Sequence, residues 1–330
     1  MNEDASSRRL IAGIGSALVD ILIEESDDFV ASTGAAKGGM TLVEHEFQRS
    51  LMGRTTAHLT VVPGGSACNT LIGCGKLGGP ARFIGKRGND DMGRLFENDL
   101  KANNVEPRLL QSETPTGQVL SIITPDAQRT MFTNLGASSE ATPEEVSPDD
   151  FKDAAVVHIE GYLLFNRDLM EASLQAAKSA GAQVSLDLAS FTVVEASKDY
   201  LETFVRDFVD ILIANEDEAR AFTGHDDEAK ALAALSERAG LAALKVGARG
   251  SYIACGGEVV RVQPTGSGGV VDTTGAGDLW ASGLLYGLVN GYDLDLCGAL
   301  ASACGYEVCQ VVGANIPADG WQRIHSLLEG

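Results

Sequence analysis

From Ala155 to Val246 the chain repeats one phrase, a short apolar run followed by a longer stretch with helical spacing. The runs are Ala155–Ile159, Gln183–Leu188, Asp210–Ala214 and Leu241–Val246; the helical stretches are Arg167–Ala180, Val194–Phe208, Asn215–Phe222 and Asp227–Ala239. A strand that is apolar on both faces needs cover on both, and helices lying between successive strands supply it. The pattern predicts an α/β fold with a central, mostly parallel sheet flanked by helices. Ser147-Pro148 adds a local helix start, with Ser as N-cap and Pro in the first turn.

The first 140 residues read differently. Leu10–Gly15 is strand-like, and Ala67–Leu77 and Met92–Asn103 have helical spacing. Ile21–Val62 and Thr116–Asn134 carry strand-like segments (DILIE, AHLTVV, QVLSIIT, RTMFTN) with no helix to cover one face. Two such patches, distant in sequence, predict a small sheet lying over the main body. The expected organisation is one α/β domain over residues 1–330 with an inserted β lid from about 21–62 and 116–134. Thin alternating patterns leave the lid little core of its own, which makes it the mobile part.

Composition excludes several functions. Hydrophobic residues are 44% and charged residues 22%, enough for a sizeable core and too apolar for wholesale disorder. Lys and Arg number 25 against 46 Asp and Glu, a net charge of −21 that repels nucleic acid and anionic membranes. An anionic ligand therefore needs a local nest of backbone donors, a few placed cations and a metal. No run of about 18 apolar residues is present, and Met1–Leu10 lacks the apolar stretch of a secretory signal, so the expectation is a cytoplasmic protein, monomer or homodimer. The six cysteines contain no C-x-x-C pair and lie in apolar surroundings, which suits buried thiols.

Chemistry concentrates in Val271–Gly283, VDTTGAGDLWASG. Glycines here allow close backbone approach to an anion, and the free N–H groups of the following helix point at it. Asp278 then stands in the first turn. A carboxylate repels phosphate, so it makes sense there as a base taking a hydroxyl proton while the nest stabilises the transferred group. A glycine turn with an acidic N-terminal charge explains the same spacing, and spacing alone leaves the two readings level.

DTTGAGD resembles the signature of the PfkB or ribokinase family of small-molecule kinases, and the resemblance extends along almost the whole chain. Pro63-Gly64-Gly65-Ser66-Ala67-Cys68-Asn69 resembles the family's di-glycine substrate motif, and Gly13-Ile-Gly-Ser-Ala-Leu-Val-Asp20 the end of its first strand. Asn215-Glu-Asp-Glu218 is similar to its N-x-x-E motif, and Lys245-Val-Gly-Ala-Arg-Gly250 to its nucleotide-binding strand and turn. The resemblance implies a ribokinase-like fold, ATP and Mg²⁺, Asp278 as catalytic base, and Gly275, Ala276 and Gly277 as the anion hole. It implies Asp20, Gly64, Gly65, Asn69 and Ser16 around a ribose-like group, whose hydroxyls a carboxylate and an amide suit. Asn215 and Glu218 are implied in ordering Mg²⁺ through water, although a helix-capping box explains them equally. Asp272 and Thr274, with main chain near Val308–Gly313, are implied as a K⁺ site. Lys245, Gly247 and Gly250 fall on the nucleotide side; Lys245 departs from the usual Thr or Ser, as a cation for phosphate or as a strand end in solvent.

Within the family the chain is most similar to the adenosine kinase branch, through Met40-Thr-Leu-Val-Glu44, Pro115-Thr-Gly117, Asp126-Ala-Gln-Arg-Thr130, Asn134-Leu-Gly-Ala137 and Gly161-Tyr162-Leu163-Leu164. That similarity implies Leu18, Tyr162 and Leu163 beside a purine, and Arg129 as a lid arginine whose planar fork meets phosphate oxygens in pairs. The alternatives are a PfkB sugar kinase (ribokinase, fructokinase or ketodeoxygluconate kinase type) and a nucleoside-binding protein without catalysis. Leu18 stands where a dinucleotide fingerprint needs its third glycine, and VDILIE follows as strand, which disfavours a Rossmann dehydrogenase. Gly75-Lys76 lacks both the first glycine and the Ser/Thr of a P-loop.

Overall fold

The four apolar runs sit side by side in a nine-stranded sheet. The computed structural model describes residues 8–126, 128–266 and 268–329, so most of the N-terminal segment read above, and Ala127 in the hairpin, lie outside the described residues. The strands are β1 (Leu10–Ile14), β2 (Leu18–Glu24), β3 (Met40–Leu42), β4 (Thr60–Gly64), β5 (Ala81–Gly88), β6 (Val105–Ser112), β7 (Thr116–Ile123), β8 (Arg129–Gly136), β9 (Ala154–Glu160), β10 (Gln183–Asp187), β11 (Ile211–Asn215), β12 (Leu241–Lys245), β13 (Ser251–Cys255) and β14 (Glu258–Val262). The large sheet has the order β14-β13-β12-β11-β10-β9-β1-β5-β6. From β12 to β6 every pair is parallel, and β13–β14 is added as an antiparallel hairpin.

Successive side chains of a strand point to opposite faces, and here both faces are dry. Val157, Ile159, Leu186, Leu212 and Leu244 pack with the helices Arg167–Ser179 and Phe191–Phe208. Their neighbours Val156, Ile211, Ile213 and Ala243 face the opposite layer, with the helices Ser66–Lys76, Ala276–Val289 and Leu294–Val308. No helix among the described residues is long and apolar enough to cross a membrane.

The second sheet has the order β3-β8-β7-β2-β4 and mixes parallel and antiparallel pairs. It begins at Leu18 and closes at Gly136, wider than the predicted 21–62 and 116–134. Two further expectations are corrected. The first strand ends at Ile14, so Asp20 belongs to β2 in the small sheet and not to the end of β1. The small sheet is also covered on one face, by the helices Asp27–Ala31 and His45–Met52, which are too short to register as helical periodicity. Ile21, Ile23, Val30, Leu51, Leu120, Ile122 and Phe132 form a core there, and buried Gln48 donates to the carbonyls of Gln118 (2.8 Å) and Phe132 (2.7 Å), tying β7 to β8. Alternate residues Leu18, Asp20, Val119, Met131 and Thr133 face the other way, into a cleft. Ser147-Pro148 starts only a single 3₁₀ turn, Pro148–Phe151, closed by a reciprocal Ser147–Asp150 cap.

Because the small sheet has its own core, truncating Phe132 acts locally. Phe132→Ala costs about 3–5 kcal/mol, and hydrogen exchange should accelerate in β2, β7 and β8 while β9 to β12 keep their protection. Equal loss in both sheets would contradict separate cores.

Candidate active site

The parallel strands β1, β9, β10, β11 and β12 end on one side of the large sheet, where ligands of open α/β sheets bind. The uncovered face of the small sheet lies across from those ends and encloses a cleft of about 990 Å³. Most of the sequence-predicted residues line it: Ser16, Leu18, Asp20, Gly65, Asn69, Arg129, Tyr162, Leu163, Asn215, Glu218, Lys245, Gly275, Ala276, Gly277 and Asp278. Gly64, Gly247, Gly250, Asp272 and Thr274 are not among the lining residues.

Gly275 caps the helix Ala276–Val289 in the left-handed region at φ 72°, and a Cβ there would stand 2.7 Å from that of Ala314. The turn therefore needs glycine. The Ala276 amide already donates to the Thr273 carbonyl at 3.2 Å, so an anion cradle rests on its neighbours in the first turn. In that turn the Asp278 carboxylate accepts hydrogen bonds from Ser66 Oγ (2.7 Å) and Asn69 Nδ2 (2.9 Å). Burial raises its pKa above the usual carboxylate range, against the lowering effect of those two donors.

The di-glycine segment leads into the helix Ser66–Lys76. A Cβ on Gly64 would stand 2.5 Å from the Asp20 carboxyl, and Gly65, at φ 97°, would put one 2.6 Å from the Ser16 carbonyl. Asp20 is thereby left room at the cleft wall, where burial, with the charges of Asp278 and Asp272 adding and Arg129 opposing, pushes its pKa up to about 6. Arg129 opens β8 and lines the cleft; among the described residues its guanidinium has no hydrogen-bond or ion-pair partner. Tyr162 and Leu163, in the 3₁₀ turn after β9, form an apolar wall with Phe165, and Leu18 lines the same cleft from β2.

Lys245 does not end its strand in solvent. It is 14% exposed, its Nζ is 2.7 Å from Asp187 Oδ2, and a Cβ on Gly277 would lie 3.1 Å from that nitrogen. Burial pulls its pKa down, but Asp187 and Glu218 outweigh this and hold the ammonium charged beside the nest. Asn215 and Glu218 form the full capping box: Asn215 Oδ1 accepts from the Glu218 amide (2.9 Å), and Glu218 accepts from the Asn215 amide (2.7 Å) and Nδ2 (2.6 Å). Burial, only partly offset by Lys245, pushes the Glu218 carboxyl up to about 7. Among the described residues no group of three or more His, Cys, Asp or Glu could hold a bare metal ion. Asn215, Asp217 and Glu218 line the cleft, where a magnesium ion that keeps its waters would meet their oxygens through those waters.

Asp272 is fully buried. Its Oδ1 accepts from the amide (2.9 Å) and hydroxyl (2.8 Å) of Thr274, and its Oδ2 from the Gly313 amide (2.8 Å). The predicted neighbour segment Val308–Gly313 is thus alongside, but the carboxylate is committed to three donors, which fits a loop tether better than a K⁺ ligand. Gly247 and Gly250 lie in the turn between β12 and β13. Sequence reasoning passed over Ser66, Glu160 and Asp187; the last two are single carboxylates closing apolar strands at the same end as Asn215 and Lys245, and that shared strand-end position was the available signal.

The family described as pfkB family carbohydrate kinase matches residues 27–320. The chain belongs to the PfkB family. It is a kinase, and membership implies use of ATP, typically with Mg²⁺. The adenosine kinase from Sinorhizobium meliloti superposes with a TM-score of 0.90 at 32% identity, covering 97% of this chain and 99% of that one. A probable sugar kinase protein from Rhizobium etli gives 0.91 at 31%, covering 97% and 98%. The 5-dehydro-2-deoxygluconokinase of Bacillus subtilis is 31% identical over 281 residues, 81% of this chain and 86% of that protein. The ribokinase-like α/β fold of this PfkB chain, with its second sheet, is the one these structures share.

Raised carboxyl groups give the cleft a pH signature. An acid whose folded pKa lies above its unfolded value stabilises the fold fully below the unfolded value and loses that contribution as pH rises through the folded one. For Asp20 the window runs from about 4 to about 6. The Tm of Asp20→Asn relative to the natural protein should therefore rise across that window. Comparing the two proteins at each pH removes the opposite trend of His158, which burial pushes down to about 4. A pH-independent difference would count against the buried Asp20.

Proposed function

We propose that this PfkB kinase transfers the γ-phosphoryl group of ATP to a primary hydroxyl of a ribose-containing nucleoside, with adenosine as acceptor. The observation that carries the reading is the Asp278 carboxylate, buried in the first turn of a helix beside a glycine nest and held there by Ser66 and Asn69. In this reading Asp20 and Asn69 hold ribose hydroxyls, and Leu18, Tyr162 and Leu163 flank the base. Asp278 takes the hydroxyl proton as the oxygen attacks phosphorus, and the first-turn amides receive the charge that develops on the transferred group. Lys245 adds a fixed positive charge beside those amides. Arg129, whose guanidinium has no hydrogen-bond or ion-pair partner among the described residues, turns to the phosphate oxygens once the small sheet closes over the acceptor as a lid and excludes water. Magnesium, held through water near Asn215 and Glu218, supplies charge neutralisation on the phosphates.

A sugar acceptor is the competing reading, favoured by the sugar kinase relatives and by an Asp20–Asn69 pair that would serve any vicinal diol. Initial rates with adenosine, ribose, fructose and 2-keto-3-deoxygluconate, under ATP and Mg²⁺, separate them. Adenosine is expected to give the highest kcat/KM; a free sugar in first place overturns the nucleoside assignment and leaves the kinase.

Removing the base tests the chemistry whichever acceptor wins. Asp278→Asn should lower turnover by about 10²–10⁴ while acceptor affinity, carried by Asp20 and Asn69, stays within a few-fold. Turnover within about ten-fold of the natural enzyme would rule out Asp278 as base.

A further inference from the structure

Glu160 closes β9 and is 2% exposed. Its Oε1 accepts the Ser16 amide at 2.8 Å, and its Oε2 accepts the Ala67 amide at 3.0 Å. Ser16 lies in the crossing from β1 to β2, which carries the chain from the large sheet to the small one. Ala67 lies in the first turn of the helix Ser66–Lys76. Gly15 is pressed against the same group, since a Cβ there would stand 2.5 Å from the Glu160 carboxyl carbon. One carboxylate therefore fastens three segments together: the end of β9, the strand start that bears Leu18 and Asp20, and the helix start that bears Ser66 and Asn69.

We propose that Glu160 is a positioning residue for phosphoryl transfer, holding the start of the helix Ser66–Lys76 so that Ser66 and Asn69 keep the Asp278 carboxylate aimed at the acceptor. The inference rests on Asp278 being the base. A carboxylate suits the task because it offers two acceptor oxygens and no donor to two amides from different segments, one of them at a helix N-terminus that favours negative charge. A glutamine of the same shape accepts one amide and turns an NH₂ group on the other. Glu160 sits among Asp278, Tyr162 and Cys68, all of which feel its charge or impose theirs on it, and burial pushes its own pKa up to about 7.

The test is a double-mutant cycle with Glu160→Gln and Ser66→Ala, run with the acceptor that the substrate comparison selects. Glu160→Gln should lower kcat about 10- to 100-fold through misplacement of the base, with the KM for ATP within a few-fold. In the Ser66→Ala background most of that effect should vanish, because the interaction it acts through is already gone. Effects that multiply independently overturn the proposal. Hydrogen exchange reads the clamp with no substrate present: the Ser16 and Ala67 amides should exchange faster in Glu160→Gln, with β10 to β12 unchanged. Unchanged exchange at both amides also overturns it. If Glu160→Gln does not fold, Glu160→Asp, which keeps the charge but withdraws the oxygens, is measured in the same way. A turnover-competent Asp278→Asn would instead fault the base assignment, and an inactive Asp278→Asn beside a silent Glu160→Gln would fault this inference alone.

Discussion

The start of the helix Ala276–Val289 and the start of the helix Ser66–Lys76 meet at a single carboxylate, and the rest of the cleft is arranged around that meeting. Asp278 belongs to one helix and takes its hydrogen bonds from Ser66 and Asn69 of the other, while Thr70 Oγ1 reaches the Asp278 carbonyl at 3.2 Å. The two helices can come this close because small residues face each other: a Cβ on Gly73 would stand 2.5 Å from that of Ser282. On the far side Gly283 packs directly on the main chain of Leu300 and Ala301. The Asp278 carboxylate is thus positioned by a backbone separation that Gly73 and Gly283 set.

The cleft resolves a charge problem visible in the composition. A chain of net charge −21 must bind polyphosphate, yet its cleft is lined by Asp20, Glu160, Asp187, Glu218 and Asp278. The crowding shows in their pKa values: burial pushes Asp20 up to about 6 and Glu160 and Glu218 up to about 7. Three basic side chains line the cleft: Lys245 is ion-paired with Asp187, Arg167 lies over the Tyr200 ring, and Arg129 has no hydrogen-bond or ion-pair partner among the described residues. Backbone amides supply the rest of the positive potential without adding a titrating group.

Legibility in the sequence followed burial. The strands β9 to β12 are covered on both faces and showed as unbroken apolar runs, with ends within a residue or two of the structure. β6, at the sheet edge with Glu106, Pro107 and Arg108, and β14, with Glu258 and Arg261 exposed, carry the charges and proline that edges tolerate, and so gave no clear run. In the site, glycine spacing marked DTTGAGD as a turn that an anion could approach but left a plain glycine turn level with it; the family resemblance separated the two and brought in the di-glycine segment. The Asn215–Glu218 spacing fitted capping and metal readings equally, and the structure displays the capping hydrogen bonds in full. Glu160 and Asp187 were missed because a lone acid at a strand end looks like any polar terminus until the fold shows what it faces.

The hydrogen bond between Ser66 and Asp278 joins residues 212 positions apart. Almost every residue from Ala67 to Gly75 is buried, much of it against the helix Ala276–Val289. During synthesis at about 5–20 residues per second, that early helix waits about 10–40 s for its partner to leave the ribosome. β1 waits similarly for β9, its neighbour in the middle of the sheet. The helix Ser66–Lys76 therefore emerges with an apolar face that the helix Ala276–Val289 covers only much later, which makes it a natural client for chaperones that shield unfinished chains and ties the assembly of the cleft to the arrival of the Val271–Gly283 segment.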